Sequence, residues 1–98
     1  MNKQQMWQKQ DELVYIPLND TENYFYSTDL GLVASLLSIG FELTSIDKEH
    51  PSKALFIIKK EYDIEDTIDE YFSGQLMVPA RVLFDKIELL KSMIHNSL

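Results

Sequence analysis

Cysteine is absent from this chain of 98 residues, and glycine and proline occur only three times each. Without cysteine there are no disulfide bonds and no thiolate metal sites. Small secreted domains usually depend on disulfide bonds. Their absence, together with the lack of an apolar N-terminal run, therefore predicts a cytoplasmic protein. The scarcity of glycine and proline predicts regular structure with few tight turns.

Long hydrophobic stretches are also missing, since the longest uninterrupted apolar run is the five residues 54–58. A membrane-spanning helix needs about 20 such residues, so we expect no membrane association. Hydrophobic residues nevertheless make up 45% of the chain, which is too many for a disordered protein. The length predicts one domain at residues 13–98, after a polar leader at residues 1–12.

The N-terminal part contains two notable features. Trp7 stands in the polar leader, and because an indole is costly to leave in water we expect it to dock onto the domain or a partner. Residues 13–16 form a short apolar run before Pro17, which is typical of an edge strand. A turn at residues 19–23 and a short strand at 24–26 are predicted to follow.

The middle of the chain predicts one helix and a hairpin. Apolar residues on nearly all sides, with cap oxygens on Ser27, Thr28 and Asp29 and with Gly40 as a terminator, indicate a buried helix at residues 28–39. Alternation at residues 41–46 and the apolar run ending at Lys59 and Lys60 predict two paired strands, 41–46 and 54–60, with a loop at 47–53.

Two further helices are predicted in the C-terminal third. Ile64, Ile68, Tyr71 and Phe72 share one helical face, which Asp63 can cap and Gly74 can end. After Pro79, one apolar stripe recurs at helical spacing, and a second stripe, Val82, Leu89 and Met93, lies roughly on the opposite side. A helix that is apolar on two sides is expected to be sandwiched by its own chain or by a second molecule.

These elements predict an α+β fold, a small antiparallel sheet packed against three helices in the order β-β-α-β-β-α-α. The predicted core residues are Phe25, Leu30, Val33, Leu37, Phe41, Leu43, Leu55, Ile57, Ile68, Phe72, Leu83, Ile87 and Leu90.

Three segments carry a family resemblance: STDLGLVASLLSIGF at 27–41, KALFIIKKEY at 53–62 and DEYFSGQLMVPARVLFDKIELLKSMI at 69–94. Together they resemble a family of small uncharacterised domains from phages and mobile elements of Firmicutes. The resemblance covers about two-thirds of the chain and implies a phage or prophage setting and the same fold. Because that family has no assigned activity, it implies no catalytic or binding residues.

Catalytic chemistry is not indicated by any pattern in the chain. The two histidines, His50 and His95, have no partner at ligand spacing, and the three glycines are too scattered to form a phosphate-binding loop. We therefore expect no catalytic residues, no metal site and no cofactor, and thus a protein that is not an enzyme.

Acidic residues are concentrated in one place, which matters because the net charge is −7. Residues 61–70 hold six acids and no base, and Glu65, Asp66, Asp69 and Glu70 are expected to project from one helix face. Such a face is usually only solvated. The sharper interpretation is a carboxylate surface that imitates nucleic-acid phosphates or meets a basic protein patch.

The leading hypothesis is a non-enzymatic phage or mobile-element module that binds a host or phage protein through Glu65, Asp66, Asp69, Glu70, Val82, Leu89 and Met93. A narrower version is an inhibitor of a host defence nuclease, of the anti-CRISPR or anti-restriction type. For the second apolar stripe, a homodimer contact and cover by residues 6–18 are held as equal alternatives. A second hypothesis is a dimeric nucleic-acid accessory protein using Lys59, Lys60, Arg81 and Lys86. Against it, these bases are expected to neutralise nearby acids.

Overall fold

The computed structural model describes residues 20–50 and 53–96, which form three strands and three helices. In chain order these are β1 Tyr24–Ser27, α1 Leu30–Ser38, β2 Leu43–His50, β3 Lys53–Lys59, α2 Ile64–Phe72 and α3 Ala80–Asn96. The predicted α+β class is confirmed, and the element order is close to the predicted one. The strand expected at 13–16 and the docking of Trp7 lie outside the described residues.

The sheet has the strand order β1-β3-β2, with β3 antiparallel to both neighbours. The predicted hairpin is confirmed, but the loop predicted at 47–53 is wrong because the ladder continues to the pair His50 and Lys53. Register shifts interrupt the β2–β3 ladder between Leu43 and Ser45 and again before His50. An edge strand tolerates such irregularities. Because residues 47–50 are polar, the sequence pattern did not indicate that β2 continues through them.

Helix α1 begins two residues later and ends one residue earlier than predicted, and Asp29 caps it. The Asp29 carboxylate accepts a hydrogen bond from the Leu32 amide at 3.0 Å, and the Ser27 hydroxyl accepts one from the Asp29 amide at 3.0 Å. Gly40 follows with φ of 112°, a left-handed conformation that glycine adopts without a steric cost. All five residues from Leu32 to Leu36 are buried, so this helix is the centre of the core.

Helix α2 starts differently from its prediction. Asp63 occupies the N-cap position but has φ of 73°, and its side chain makes no capping hydrogen bond. Its carbonyl instead accepts from the Thr67 amide at 3.1 Å and the Thr67 hydroxyl at 3.0 Å. Gly74, with φ of 81°, ends the helix as predicted.

One face of the sheet holds the core. Phe56 and Ile58 of β3 pack there with α1, with Ile64 of α2 and with Leu90 of α3. The fully buried members of this cluster are Leu32, Val33, Ala34, Leu36, Phe56, Ile58, Ile64 and Leu90.

The predicted core is correct at most positions but wrong at Phe72, whose side chain is 66% exposed. Phe72 is the last residue of α2, and Tyr71 beside it packs against the core while the Phe72 side chain does not. Thr67 is buried in its place, and its hydroxyl is satisfied by the helix backbone. A hydroxyl bonded in this way enters a core without a large desolvation cost.

Candidate functional site

Four carboxylates project from the solvent side of α2, and we call Glu65, Asp66, Asp69 and Glu70 the acidic surface. All four residues are exposed. The opposite side of the helix carries Ile64 and Thr67, which are buried, so the amphipathic division predicted from the sequence is present. Glu65 and Asp66 lie in the first turn, where negative charge complements the helix dipole.

Most of this negative charge has no ion-pair partner among the described residues. Glu65 forms an ion pair with Lys60 at 3.3 Å, while within residues 20–50 and 53–96 no ion pair reaches Asp66, Asp69 or Glu70. Asp66 and Glu70 are four residues apart on the same side of the helix, where like charges repel by a few tenths of a kcal/mol. The acidic surface therefore adds little to stability and leaves three carboxylates free to contact another molecule.

Phe72 adds an exposed aromatic ring beside the acidic surface. It stands three residues after Asp69, a spacing that makes the two residues neighbours on the helix, so Phe72 lies at the C-terminal end of the acidic surface. Its ring meets the Tyr71 ring edge to face with the centroids 5.1 Å apart. Because Tyr71 packs against the core, this contact supports the Phe72 ring from the protein side while its outer side stays in water.

Tyr71 links α2 to the start of α1. Its hydroxyl oxygen lies 2.6 Å from the position that a Cβ atom on Gly31 would occupy, so the two helices meet where glycine has no side chain. Burial raises the pKa of Tyr71, and the nearby carboxylate of Asp29 raises it further. The orientation of the acidic surface thus depends on this contact between α1 and α2.

The second apolar stripe of α3 is largely exposed. Leu89 is 47% and Met93 36% exposed, and Val82 is half-buried, whereas Leu83, Ile87 and Ile94 pack against the core. At 100° per residue the two stripes point about 110° apart, so the second stripe flanks the first and does not oppose it as predicted. This second stripe is an apolar surface on α3 next to the core contact.

Sequence reasoning missed further exposed apolar side chains. Phe84 is 62% exposed on α3, and Met77 in the preceding loop is exposed as well. The exposure of Phe84 could have been predicted, because Phe84 belongs to neither apolar stripe of the helix and the pattern therefore assigns it no apolar neighbour. Together with Phe72, these residues give the region from the end of α2 to the start of α3 an unusually apolar exterior.

The basic residues proposed for nucleic-acid contact are mostly engaged. Lys59 pairs with Glu61 at 3.7 Å, and Arg81 pairs with Asp85 at 3.7 Å. Besides its ion pair with Glu65, Lys60 donates to the carbonyl of Thr21 at 2.7 Å, so it joins the turn before β1 to α2. Lys86 is half-buried on α3. This arrangement agrees with the alternative in which these basic residues neutralise nearby acids.

The described part of the chain offers neither a metal-ligand cluster nor a membrane-spanning helix. Among residues 20–50 and 53–96, no group of three or more histidine, aspartate or glutamate side chains is placed to hold a metal ion. None of the helices described has both the length and the apolar content needed to cross a bilayer.

Comparison with known proteins gives one match. The family model described as a domain of unknown function (DUF5659) matches residues 22–96, which includes every strand and helix described above. Neither the search of curated proteins nor the search of solved structures found a match.

Proposed function

Given that the chain belongs to the DUF5659 family of domains of unknown function, we propose that it is a non-enzymatic module that binds another protein through α2. The observation that carries the proposal is the exposure of four adjacent carboxylates, three of them without an ion pair in residues 20–50 and 53–96, next to the exposed ring of Phe72. Aromatic side chains are enriched at binding surfaces, and exposed charges attract a partner of opposite charge.

The partner that this chemistry fits is a basic protein patch. Lysine and arginine side chains would pair with Asp66, Asp69 and Glu70, and an arginine or lysine placed over Phe72 would gain a cation–π contact. Opposite charges also speed the encounter of two proteins, an effect that salt weakens. A nuclease groove that holds nucleic-acid phosphates is one such basic patch.

The setting of the proposal is a phage or mobile element, as the sequence resemblance implies. In that setting a small acidic protein fits the inhibition of a host defence nuclease, of the anti-CRISPR or anti-restriction type. What supports this narrower role is the density of carboxylates on one helix, which resembles the charge of a phosphate backbone. The second apolar stripe, Val82, Leu89 and Met93, would extend the contact or join two copies of the chain.

The test is capture of partners from a host lysate by the full chain carrying an affinity tag. The variant Asp66→Lys, Asp69→Lys and Glu70→Lys should lose the captured partner. A matched control, Glu22→Lys, Glu42→Lys and Glu49→Lys, changes the net charge equally at exposed positions outside α2 and should retain it. Capture of the same partner by both variants would remove the acidic surface from the proposal.

A further inference from the structure

The second face of the sheet, opposite the helices, has no helix of the described part of the chain upon it. Each of the three helices contributes apolar side chains to the cluster around Phe56 and Ile58. The register places Tyr26 and Ser45 beside Ile57, and Asp47 beside Leu55, with their side chains on the other face. We call Tyr24, Tyr26, Leu55 and Ile57 the outer sheet face.

The central strand is nevertheless built as though both its faces were covered. A strand with one face in water alternates apolar and polar residues, whereas β3 runs Ala54-Leu55-Phe56-Ile57-Ile58 without a polar residue. Ile57 is only 3% exposed, and Leu55, Tyr24 and Tyr26 are half-buried. Burial also raises the pKa of Tyr26. These observations indicate that the outer sheet face is an interior surface.

The path of the chain before β1 indicates what covers it. The Asp20 carbonyl accepts hydrogen bonds from the Tyr24 amide at 3.1 Å and from the Tyr26 hydroxyl at 3.4 Å. Because the Tyr26 side chain lies on the outer sheet face, the second bond draws residue 20 toward that face. The residues that precede Asp20 therefore start at the edge of the surface that needs a cover.

We propose that residues 13–18 lie on the outer sheet face and cover Leu55 and Ile57. Five of these six residues are apolar: Leu13, Val14, Tyr15, Ile16 and Leu18. Six extended residues span about 20 Å, and the three strands are about 10 Å wide from β1 to β2, so the segment reaches across the sheet. Among the other residues outside the described part, 1–12 are mostly polar, and 19, 51–52 and 97–98 are too few for this cover.

This cover does not depend on the binding function proposed above. It distinguishes the outer sheet face, which is covered, from the second apolar stripe of α3, which is not. Residues 13–18 cannot cover the outer sheet face and the second apolar stripe of α3 together, since the helices stand on the other side of the sheet. The cover on the sheet therefore leaves Leu89 and Met93 open to another molecule. It also means that the outer sheet face is not a partner surface.

The experiment is methyl NMR on the unmodified full chain, which needs no variant that fails to fold. Nuclear Overhauser effects are expected from the methyl groups of Val14, Ile16 or Leu18 to those of Leu55 and Ile57. A sample that mixes labelled and unlabelled chains distinguishes contacts within one chain from contacts between two.

Three results would overturn the proposal. These are contacts of residues 13–18 with Leu89 or Met93, contacts to Ile57 that arise only between different chains, and the absence of any contact between residues 13–18 and the sheet. As a second measurement, Ile16→Asp should lower the midpoint of urea unfolding, because it places a charge against an apolar surface. The matched variant Gln10→Asp in the polar leader should leave the midpoint unchanged.

Discussion

Gly31 and Tyr71 show how a single missing side chain sets the position of one helix against another. Glycine in a helix normally costs about 1 kcal/mol relative to alanine, yet here it stands in the first turn of α1. The Tyr71 hydroxyl occupies the space that a Cβ atom would need, 2.6 Å away, while the rest of the tyrosine ring is no closer than 3.7 Å. The glycine is therefore explained by a contact and not by its backbone conformation.

This contact predicts strong coupling between the two residues. Gly31→Ala should gain no stability in the natural chain, because the tyrosine ring has to shift, and in a Tyr71→Phe chain it should stabilise by about 1 kcal/mol. Urea unfolding of the four proteins in this cycle measures the coupling. The same effect of Gly31→Ala in both backgrounds would show that the hydroxyl is not the obstacle.

The two half-buried tyrosines Tyr26 and Tyr71 predict a loss of stability at alkaline pH. Burial raises the pKa of both Tyr26 and Tyr71, so the folded state keeps these protons to a higher pH than the unfolded state does. Their contribution is complete below the unfolded pKa of about 10 and is lost as the pH rises through the folded pKa. The free energy of unfolding, measured in urea between pH 8 and pH 11, should therefore fall above pH 10.

The variant Tyr71→Phe tests the origin of that decline. Because it removes one of the two groups, stability should fall less steeply above pH 10 than in the natural chain. An equal slope in the two proteins would contradict a role for Tyr71, and Tyr26→Phe then tests the other group in the same way.

At the scale of elements, Lys48 joins β2 to the end of α3. Its ammonium group donates to the carbonyl oxygens of Met93 at 3.3 Å and Ile94 at 3.0 Å. The last carbonyls of a helix have no partner within the helix and carry partial negative charge, which a lysine stabilises. A residue 45 positions earlier thus terminates α3 and fixes the side from which its stripes are presented.

Replacement of Lys48 should therefore loosen the end of α3. Lys48→Met keeps the aliphatic stem and removes the charge, and it is expected to cost about 0.5–1 kcal/mol at low salt and less at high salt. Lys53→Met, at an exposed position of β3, is the matched control and should change stability little. Urea unfolding at two salt concentrations measures both, and equal effects would contradict the capping role of Lys48.

Periodicity allowed the helices and the hairpin to be predicted from the sequence, but tertiary contacts decided the details. The cap at Asp29 and the terminator at Gly40 are local signals, so α1 was found within two residues of its ends. Phe72 was misplaced because helical spacing does not reveal which residue of the last turn still contacts the core. The link from Lys48 to α3 joins residues far apart in the chain, and nothing in the local pattern indicates it.

The acidic surface could be predicted because a local sequence pattern is enough to determine it. Four carboxylates within six residues, interleaved with Ile64, Ile68 and Tyr71, must project from the solvent side if those apolar residues are buried. The sequence could not indicate which carboxylates are paired. Only the fold brings Lys60 to Glu65 while leaving Asp66, Asp69 and Glu70 without an ion pair in the described residues.

At the scale of the whole molecule, the described residues share one core, and α1 lies at its centre. The core takes the apolar sides of all three helices, so the domain can act on another molecule only through what remains outside. Two surfaces remain on the helices of the described part: the acidic surface with Phe72, and the second apolar stripe of α3. The net charge of −7 favours basic partners over nucleic acids.

The affinity of the purified partner for three proteins tests the central claim most directly: the natural chain, the triple lysine variant at Asp66, Asp69 and Glu70, and the matched variant at Glu22, Glu42 and Glu49. Titration calorimetry should show a dissociation constant at least about tenfold larger for the α2 variant and changed by less than about twofold for the matched variant. Added salt should weaken the natural complex more than that of the α2 variant. Equal affinities for the two variants would contradict a binding surface on α2.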